Sequence, residues 1–294
     1  PTEKDPDIYD HRNIHCDVLV VGAGISGILA AKNAAKNNLK TLLIEEKNEL
    51  GGATIYQNRE FNKIDNQSSS DWIKKEINEL KNIDNLEVKT RTSVAAYHGY
   101  NYLLARENLT DHLEKKDKNN KVRQRLLKIR AKKVILATGA LERPLVFNNN
   151  DRPGIMLSTA VKKYADFFGV KCGEKNVFFT NNDSAYESAL CLYNKGIKVD
   201  AIVDIRDNSN SKIVKAVEQA GIKIYWSHTV VDTNGYRRVS NISIMRLSND
   251  GMTVTGKRIN ISCDCLGVAG GWTPAVHLFT QSGGKLKFDE ENNI

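Results

Sequence analysis

The chain has 294 residues, of which 40% are hydrophobic and 27% are charged, and its formal net charge is +8. This balance is typical of a folded globular protein and excludes a disordered or fibrous one. The length allows about two domains, because a single hydrophobic core rarely grows beyond about 250 to 300 residues. No apolar run is long enough to cross a bilayer, and the polar residues 1–12 contain no secretion signal. We therefore expect a cytoplasmic protein with no membrane partner.

The first predicted elements are a strand, a glycine-rich turn and a helix. Residues 17–21 form a short apolar run, and residues 25–36 show alanine-rich helical spacing. A second β-branched run, residues 41–44, follows the helix. Because strands joined by one crossover helix lie parallel, the first 45 residues predict a parallel βαβ unit.

An amphipathic helix and four more strands are predicted before the first change in sequence texture. The helix covers residues 70–83, with Ser70 or Asp71 as its N-cap. The first three strands suit a β-meander with an exposed polar loop, and the fourth is a buried strand: residues 86–94, 100–106, 122–130 and 134–137.

A second α/β segment follows the polar linker at residues 147–153. Its predicted helices and strands alternate as 158–168, 176–180, 186–194 and 198–203, and Asn249-Asp-Gly251 is a strong hairpin signal. We interpret the whole as an α/β protein. A Rossmann-like FAD/NAD(P)-binding parallel-sheet domain with a β-meander covers residues 1–146 and 258–294, and a second α/β dinucleotide-fold domain, residues 147–257, is inserted into it.

The glycine-rich turn carries the strongest chemical signal. Gly22, Gly24 and Gly27 match GxGxxG, in which the first glycine makes the turn, the second admits a pyrophosphate and the third lets helix and strand pack closely. Glu45 ends the second strand, where an acidic side chain accepts hydrogen bonds from a ribose and disfavours a 2′-phosphate. Glu46 and Lys47 follow it and are second-rank candidates for the adenosine end.

Two further glycine-containing segments favour a dinucleotide cofactor. Gly51 and Gly52 allow the backbone to run close to a cofactor in flavoproteins of this fold. The segment Ala137, Thr138 and Gly139 ends a buried strand and resembles the second short motif of the same flavoproteins.

Other groups argue against alternative chemistry. The turn at residues 180–184 lacks glycine, and Asp183 would repel a pyrophosphate there, so we expect a second domain without its own nucleotide. No closely spaced cysteine pair follows Gly52, which disfavours thiol reduction. Cys263 and Cys265 share one face of a strand but have no ligand cluster for a metal. His277 lies in a segment that could line a cavity, and we name no catalytic residue.

The chain resembles the alpha subunits of heterotetrameric sarcosine oxidases over nearly its whole length. The most specific match is the TNNDSAY turn, which replaces the second glycine motif of most two-dinucleotide-fold flavoproteins. The resemblance rests on four segments: YDHRNIHCDVLVVGAGISG, KKVILATGALERPLVFNNNDRPGIM, VFFTNNDSAYESALCLYNKG and VAGGWTPAVHLFTQSGGK.

The resemblance implies an oxidoreductase complex that demethylates sarcosine, with oxygen as electron acceptor and tetrahydrofolate as one-carbon acceptor. It implies beta, gamma and delta subunits as partners, with FAD and FMN in the beta subunit or at its interface. The alpha subunit would bind NAD, and the isolated chain, as a piece of that subunit, would be inactive. The contacts that carry over are Gly22, Gly24, Ser26, Gly27, Glu45, Glu46, Lys47, Val94, Ala269 and Gly270.

Two other functions remain open on the sequence. A self-sufficient FAD-dependent oxidoreductase of the two-domain class would use the same glycines and Glu45, so only the bound nucleotide separates it from the oxidase subunit. A non-enzymatic nucleic-acid-binding module is suggested by the net charge of +8. The basic stretch at residues 121–133 alternates with apolar residues and favours a strand with a polar face, so we expect no nucleic-acid partner.

Overall fold

The structure is a computed structural model that describes residues 5–56, 63–118 and 120–291. The chain divides into two compact units. The first unit consists of Pro1–Ala140 and Pro274–Ile294, and the second unit is Leu141–Thr273.

The first unit begins with the predicted strand, glycine turn, helix and strand. Its elements up to the division are β1 (Ile8–Val21), α1 (Ile25–Lys36), β2 (Thr41–Ile44), a 3-10 turn (Gly52–Tyr56), β3 (Lys63–Ile64), β4 (Gln67–Ser68), α2 (Ser69–Leu80), β5 (Leu86–Lys89), β6 (Thr92–His98), β7 (Tyr102–Asn108), α3 (Lys115–Lys118) and β8 (Val122–Leu136). The two boundaries between the units fall within short strands. The first boundary lies within β9 (Ala140–Glu142), and the second lies within the strand Trp272–Pro274.

One six-stranded sheet organises the first unit, in the order β5-β2-β1-β8-β7-β6. The strands β5, β2, β1 and β8 are parallel, whereas β8, β7 and β6 form the antiparallel meander that the sequence predicts. Val21 pairs with Ile44 on one side and with Leu136 on the other. The segments that follow β1, β2 and β8 therefore emerge together at one edge of the sheet.

The second unit repeats the alternation of strand and helix. Its elements are β10 (Ile155–Leu157), α4 (Ser158–Asp166), β11 (Asn176–Thr180), α5 (Ser184–Asn194), β12 (Val199–Asp204), α6 (Lys212–Gln219), β13 (Lys223–Tyr225), β14 (His228–Asn234), β15 (Asn241–Leu247), β16 (Val254–Ser262) and β17 (Cys265–Ala269). The chain then runs through β18 (Trp272–Pro274) to α7 (His277–Gln281) in the first unit. A parallel sheet has the order β10-β17-β11-β12-β13, and β14, β15 and β16 form an antiparallel sheet.

Three elements differ from the sequence-based boundaries. The predicted strand at residues 86–94 is two strands, because Arg91 adopts a left-handed backbone conformation (φ 52°) between β5 and β6. The strands predicted at 122–130 and 134–137 are one strand, β8, which pairs along almost all of β1. The N-cap of α2 is Ser68, whose hydroxyl accepts from the Asp71 amide, and neither Ser70 nor Asp71 has that role.

The predicted return of the chain to the first domain near residue 258 also differs from the compact units. Residues 258–273 lie in the second unit, because β17 pairs in parallel with both β10 and β11 there. Which segments fold independently, with boundaries at 146/147 and 257/258, stays a prediction.

Apolar side chains cover both faces of the sheet in the first unit. One cluster contains Leu19, Leu42, Leu103 and Leu127, and the other contains Ile28 of α1 and Ile73 of α2. A separate cluster in the second unit joins its parallel sheet to its antiparallel one. In the described part of the chain, no helix combines the length and the apolar character that a membrane span requires.

Candidate dinucleotide site

The turn between β1 and α1 requires glycine at its first and last motif positions. Gly22 has a left-handed backbone conformation (φ 96°), and a Cβ there would overlap the carbonyl oxygen of Ala137. A Cβ on Gly27 would overlap the carbonyl oxygen of Gly22. These two glycines therefore let β1, α1 and the end of β8 approach one another more closely than side chains would allow.

Gly24, the middle glycine, has a different role. A Cβ at Gly24 would meet no atom within 4 Å. Gly24 is the N-cap of α1, and no side chain caps this helix end. The first turn of α1 also contains no acidic residue. Free backbone N–H groups beside open space, at the positive end of the helix dipole, are the features that bind a phosphate.

Glu45 lies at the carboxyl end of β2 and is only 6% exposed. One carboxylate oxygen accepts a hydrogen bond from the Ala23 amide (2.8 Å) and the other accepts one from the Lys47 amide (2.9 Å). These bonds fix the carboxylate beside the glycine turn. Since each carboxylate oxygen can accept two hydrogen bonds, both oxygens retain capacity for ribose hydroxyls.

The segment after Glu45 is exposed and is hydrogen-bonded to the connection between β5 and β6. Glu46 and Lys47 are exposed, and the Lys47 carbonyl accepts from the Arg91 amide (2.8 Å). Arg91 thus lies beside Lys47, and Val94 follows within β6, partly buried against the core. This backbone contact between Arg91 and Lys47 was not predicted from the sequence. The left-handed conformation of Arg91 could not be seen without knowing where β5 ends.

The glycine pair packs against the glycine turn. The Gly51 amide donates to the Ala23 carbonyl (2.7 Å), and a Cβ on Gly52 would lie 2.9 Å from the Cα of Gly24. Both residues have positive φ, 110° and 57°. The pair therefore needs glycine for its conformation and for its close approach to the turn.

The segment at the end of β8 closes the other side. The Ala137 amide donates to the Val21 carbonyl (2.8 Å), and the Thr138 hydroxyl donates to the Ala275 carbonyl (2.7 Å). The Ala275 amide in turn donates to the Gly139 carbonyl (2.9 Å). The segment 137–139 is thereby fixed between the glycine turn and the residues that precede α7.

A cavity of about 530 Å³ opens between these segments of the first unit. Its size is within the range of small-molecule sites. None of its lining residues in the described part of the chain is charged. The lining residues are Gly24, Ile25, Ser26, Ala53, Thr54, Leu136, Ala137, Thr138, Gly139, Pro274, Ala275, Val276 and Phe279.

Eight of the thirteen lining residues were not predicted as site residues from the sequence. Five of the predicted residues line the cavity, namely Gly24, Ser26, Ala137, Thr138 and Gly139. The segment around His277, which the sequence predicted could line a cavity, does line it through Pro274–Val276 and Phe279, none of which was named as a site residue. His277, which the sequence singled out there, is exposed and does not line the cavity.

Residues 19–294 match the pyridine nucleotide-disulphide oxidoreductase family. The chain belongs to this family. Its fold class is therefore as predicted from the sequence, and the match implies a flavin or nucleotide cofactor without choosing between them.

The chain is also similar to curated sarcosine oxidase alpha subunits, which confirms the resemblance predicted from its sequence. It is 39% identical over 287 residues to sarcosine oxidase subunit alpha of Corynebacterium sp. (strain P-1) and 34% identical over 290 residues to that of Rhizobium meliloti (strain 1021). These matches cover 97% and 98% of the chain. The chain spans only 29% and 28% of the relatives' lengths.

Solved structures confirm the fold. Thioredoxin reductase of T. acidophilum matches with a TM-score of 0.69 and 19% identity, over 94% of this chain and 83% of that one. L-proline dehydrogenase of P. horikoshii matches with a TM-score of 0.65 and 23% identity, over 95% of this chain and 46% of that one. At these identities the likeness concerns the fold alone.

Ala269 and Gly270 belong to the second unit, whereas the other predicted contacts belong to the first. Ala269 ends β17, and its carbonyl accepts from the Asn181 amide (3.3 Å). The Gly270 amide donates to the Arg143 carbonyl (2.6 Å). Within its own sheet, β17 lies beside β11 as β8 lies beside β1, so these residues correspond to the end of β8. Their contact with a cofactor stays a prediction.

The second unit contains a turn of the same length between β11 and α5, but polar side chains fill it. The Asn182 side-chain oxygen accepts from the Ser184 amide (2.9 Å) and hydroxyl (2.5 Å). Asp183 is the N-cap residue and forms an ion pair with Arg206 (2.8 Å). The Asp183 carboxylate makes no capping hydrogen bond to α5, so this turn differs from the open turn at Gly24 in the polar side chains of Asn182 and Asp183 that lie at the helix N-terminus.

The end of β12 completes this closed arrangement. Asp204 and Tyr186 are both fully buried, and the Tyr186 hydroxyl donates to Asp204 (2.7 Å). Arg206 donates to the same carboxylate (2.8 Å), and its own amide donates to it as well (2.9 Å). Burial, followed by the neighbouring Asp204 carboxylate, raises the pKa of Tyr186, which keeps the hydroxyl protonated as the donor.

The cysteines form no redox or metal centre that the structure describes. All five are free thiols, and none lines the cavity. Burial raises the pKa of Cys263 and of Cys265 to about 12, so both are protonated and unreactive at neutral pH. Within residues 5–56, 63–118 and 120–291, no three histidine, cysteine or acidic side chains gather as metal ligands.

Proposed function

We propose that the chain is the dinucleotide-binding part of the alpha subunit of a sarcosine oxidase, and that its first unit binds NAD. One observation carries the proposal: the uncapped end of α1 at Gly24 faces open space directly beside the buried carboxylate of Glu45. These are the two groups that bind the pyrophosphate and the adenosine ribose in this fold. The 34–39% identity to alpha subunits supports the assignment.

The residues of the first unit fit such a cofactor. Gly22, Gly24, Ser26, Gly27, Gly51, Gly52 and 137–139 would surround the pyrophosphate. Glu45, Glu46, Lys47 and Val94 would hold the adenosine. A 2′-phosphate would bring negative charge to the Glu45 carboxylate, which supports NAD over NADP.

The wider reaction would belong to the complete complex. In this proposal the beta subunit, with FAD and FMN in it or at its interface, oxidises the CH–NH bond of sarcosine with oxygen as acceptor. Tetrahydrofolate accepts the one-carbon unit, and gamma and delta subunits complete a cytoplasmic heterotetramer. The chain shown here would have no activity alone. The lining residues that the structure describes are uncharged and include no carboxylate, histidine or lysine, which supports that view.

The ion pairs of the basic residues support an ordinary protein surface over a nucleic-acid-binding site. The stretch at residues 121–133 lies in or beside β8. Arg123 pairs with Asp7 and Asp111, and Arg125 pairs with Asp10. Cations neutralised by neighbouring carboxylates contribute little to binding phosphate backbones.

The test is to purify the chain, record its absorbance spectrum, denature it and identify any released nucleotide by mass spectrometry. We expect NAD and no flavin absorbance after incubation with NAD and FAD together and removal of the excess. Release of FAD, with flavin absorbance in the native protein, would replace the proposal with a self-sufficient flavoprotein. Retention of neither nucleotide would contradict both.

A further inference from the structure

Phe279 is an exposed aromatic side chain in the wall of the cavity. It lies in the short helix α7, where its neighbour Leu278 is buried in the core of the first unit. Phe279 is 42% exposed and lines the cavity together with the glycine turn. A large apolar side chain left open at a cavity is surface that a ligand can cover.

The backbone around Phe279 fixes the ring in place. The side chain of Gln281 accepts a hydrogen bond from the Tyr97 amide (2.8 Å), which ties α7 to β6. The Phe279 carbonyl accepts from the Ser282 hydroxyl (2.6 Å) and the Gly284 amide (3.0 Å). A Cβ on Gly284 would lie 2.5 Å from the ring, so the ring rests directly on that backbone.

The lining of the cavity shows which half of a dinucleotide it would contain. Neither Glu45 nor Val94, the residues assigned to the adenosine end, lines it. Gly24 and Ser26, at the pyrophosphate turn, do line it, and Phe279 belongs to the wall formed by the segment after residue 273. The cavity therefore extends from the pyrophosphate position away from the adenosine. Its hydrophobic lining suits a planar ring.

We propose that Phe279 packs against the second base of the bound dinucleotide, the nicotinamide of NAD. This inference rests on the proposed function, because it assigns a contact within the same site. An aromatic side chain that is already ordered gains contact with a planar base at little cost in conformational entropy. Phe279 then contributes to the preference of the chain for NAD over a nucleotide that ends at the diphosphate.

The experiment compares two probes, NAD and ADP, by isothermal titration calorimetry on the purified 294-residue chain. ADP shares adenine, the first ribose and both phosphates with NAD but lacks the second ribose and the second base. Phe279→Ala should weaken NAD binding at least about fivefold, since truncating a base-stacking aromatic commonly reduces affinity by that factor or more. Its affinity for ADP should stay within about twofold. Phe288→Ala is the matched control, because Phe288 is 62% exposed and does not line the cavity.

The two probes separate failure of the inference from failure of the proposed function. If Phe279→Ala leaves NAD binding unchanged, or weakens NAD and ADP equally, the contact with the second base is wrong and the dinucleotide site stands. If the unaltered chain binds neither NAD nor ADP, the site itself is wrong and the inference falls with it. Phe279→Leu should lie between the wild type and Phe279→Ala, because leucine retains part of the apolar surface.

Discussion

The two units of this chain differ at the turn that joins a parallel strand to the following helix. In each, three residues connect a parallel strand to the next helix: 22–24 between β1 and α1, and 181–183 between β11 and α5. Gly24 and Asp183 therefore occupy corresponding N-cap positions, and Gly27 corresponds to Tyr186. In the first unit this end of the sheet is open, and in the second it is closed by its own side chains.

The acidic residue beside each turn shows how the same group can be used differently. Glu45 accepts an amide hydrogen bond from the residue two positions later, as Asp204 does from Arg206. Among the residues that the structure describes, the donors to Glu45 are both backbone amides, whereas Asp204 also receives the Tyr186 hydroxyl and the Arg206 guanidinium. The fold alone therefore does not make a nucleotide site. We expect the side chains at the helix N-terminus to decide whether a phosphate can approach.

The largest effect is expected where the open turn depends on close backbone contact. Gly27→Ala should lower the free energy of unfolding by about 3 kcal/mol or more, because its Cβ overlaps the Gly22 carbonyl, a backbone atom that cannot move aside. Urea unfolding followed by circular dichroism measures the change. Gly24→Ala is the matched control, since open space surrounds that position, and it should change stability by less than about 0.5 kcal/mol. Equal losses in the two variants would contradict the assigned roles.

Removing the buried acid of the open site should have the next largest effect. Glu45→Ala leaves the buried Ala23 amide without its acceptor and should lower the free energy of unfolding by about 2 kcal/mol. It should also weaken NAD binding by about tenfold or more through the lost ribose hydrogen bonds. Glu46→Ala, at an exposed neighbour, should change stability little. A Glu45→Ala chain that binds NAD normally would remove Glu45 from the site.

The closed turn offers the converse test. Tyr186→Phe removes the hydroxyl that donates to the buried Asp204 carboxylate and should lower the free energy of unfolding by about 1.5 kcal/mol. NAD affinity should not change, because the nucleotide is expected in the first unit. Tyr193→Phe on the same helix, where the tyrosine is half exposed, is the control for the substitution. A change in NAD affinity with Tyr186→Phe would contradict the independence of the two turns.

The smallest effect concerns Glu142, a buried acid of the second unit that is less completely paired than Glu45. One of its oxygens accepts two hydrogen bonds from Thr159, and the other has no hydrogen-bond partner in the described part of the chain. Burial raises the pKa of this carboxyl, which the bonds from Thr159 only partly oppose. A raised pKa means that stability is greatest while the group is protonated, and that it falls as the pH rises above the ordinary value of about 4.3.

Glu142→Gln should therefore flatten this part of the pH dependence. Urea unfolding of wild type and Glu142→Gln, measured from about pH 4 upward, should show that the difference between their free energies of unfolding narrows or reverses as the pH rises. At neutral pH the variant should be within about 1 kcal/mol of wild type. A difference that does not vary with pH would show that ionisation of Glu142 does not affect folding.

Much of the first unit followed from its sequence, because each local signal agreed with the others. The glycine spacing, the alanine-rich helix and the terminal acid predicted the βαβ unit and placed Gly24, Glu45 and Ala137 at one edge. Val21, Ile44 and Leu136 are paired at the ends of β1, β2 and β8. The residues that follow these three strands therefore lie at the same edge of the sheet. The signals were local, so no tertiary information was needed.

The parts that the sequence reading missed depend on contacts between distant residues. Phe279 reaches the cavity only because Gln281 and Gly284 fix α7 against β6 and the ring. The sequence indicated that the segment around His277 could line a cavity, but not which of its residues would do so. Asp183 was recognised as a repulsive group, but its partner Arg206 lies 23 positions later, at the end of another strand. The apolar sequence of β17 suits the parallel sheet of either unit. Its pairing with β10 and β11 places it in the second unit.

The most direct test imports the closing residue of the second unit into the first. Titration of the wild-type chain with NAD should show one site, and Gly24→Asp should weaken binding by about 100-fold or more, because the carboxylate would repel the pyrophosphate at the helix N-terminus. Gly24→Asn, of equal size but uncharged, should lose less affinity. NAD binding that survives Gly24→Asp unchanged, or a wild-type chain with two sites, would contradict the distinction between an open and a closed turn.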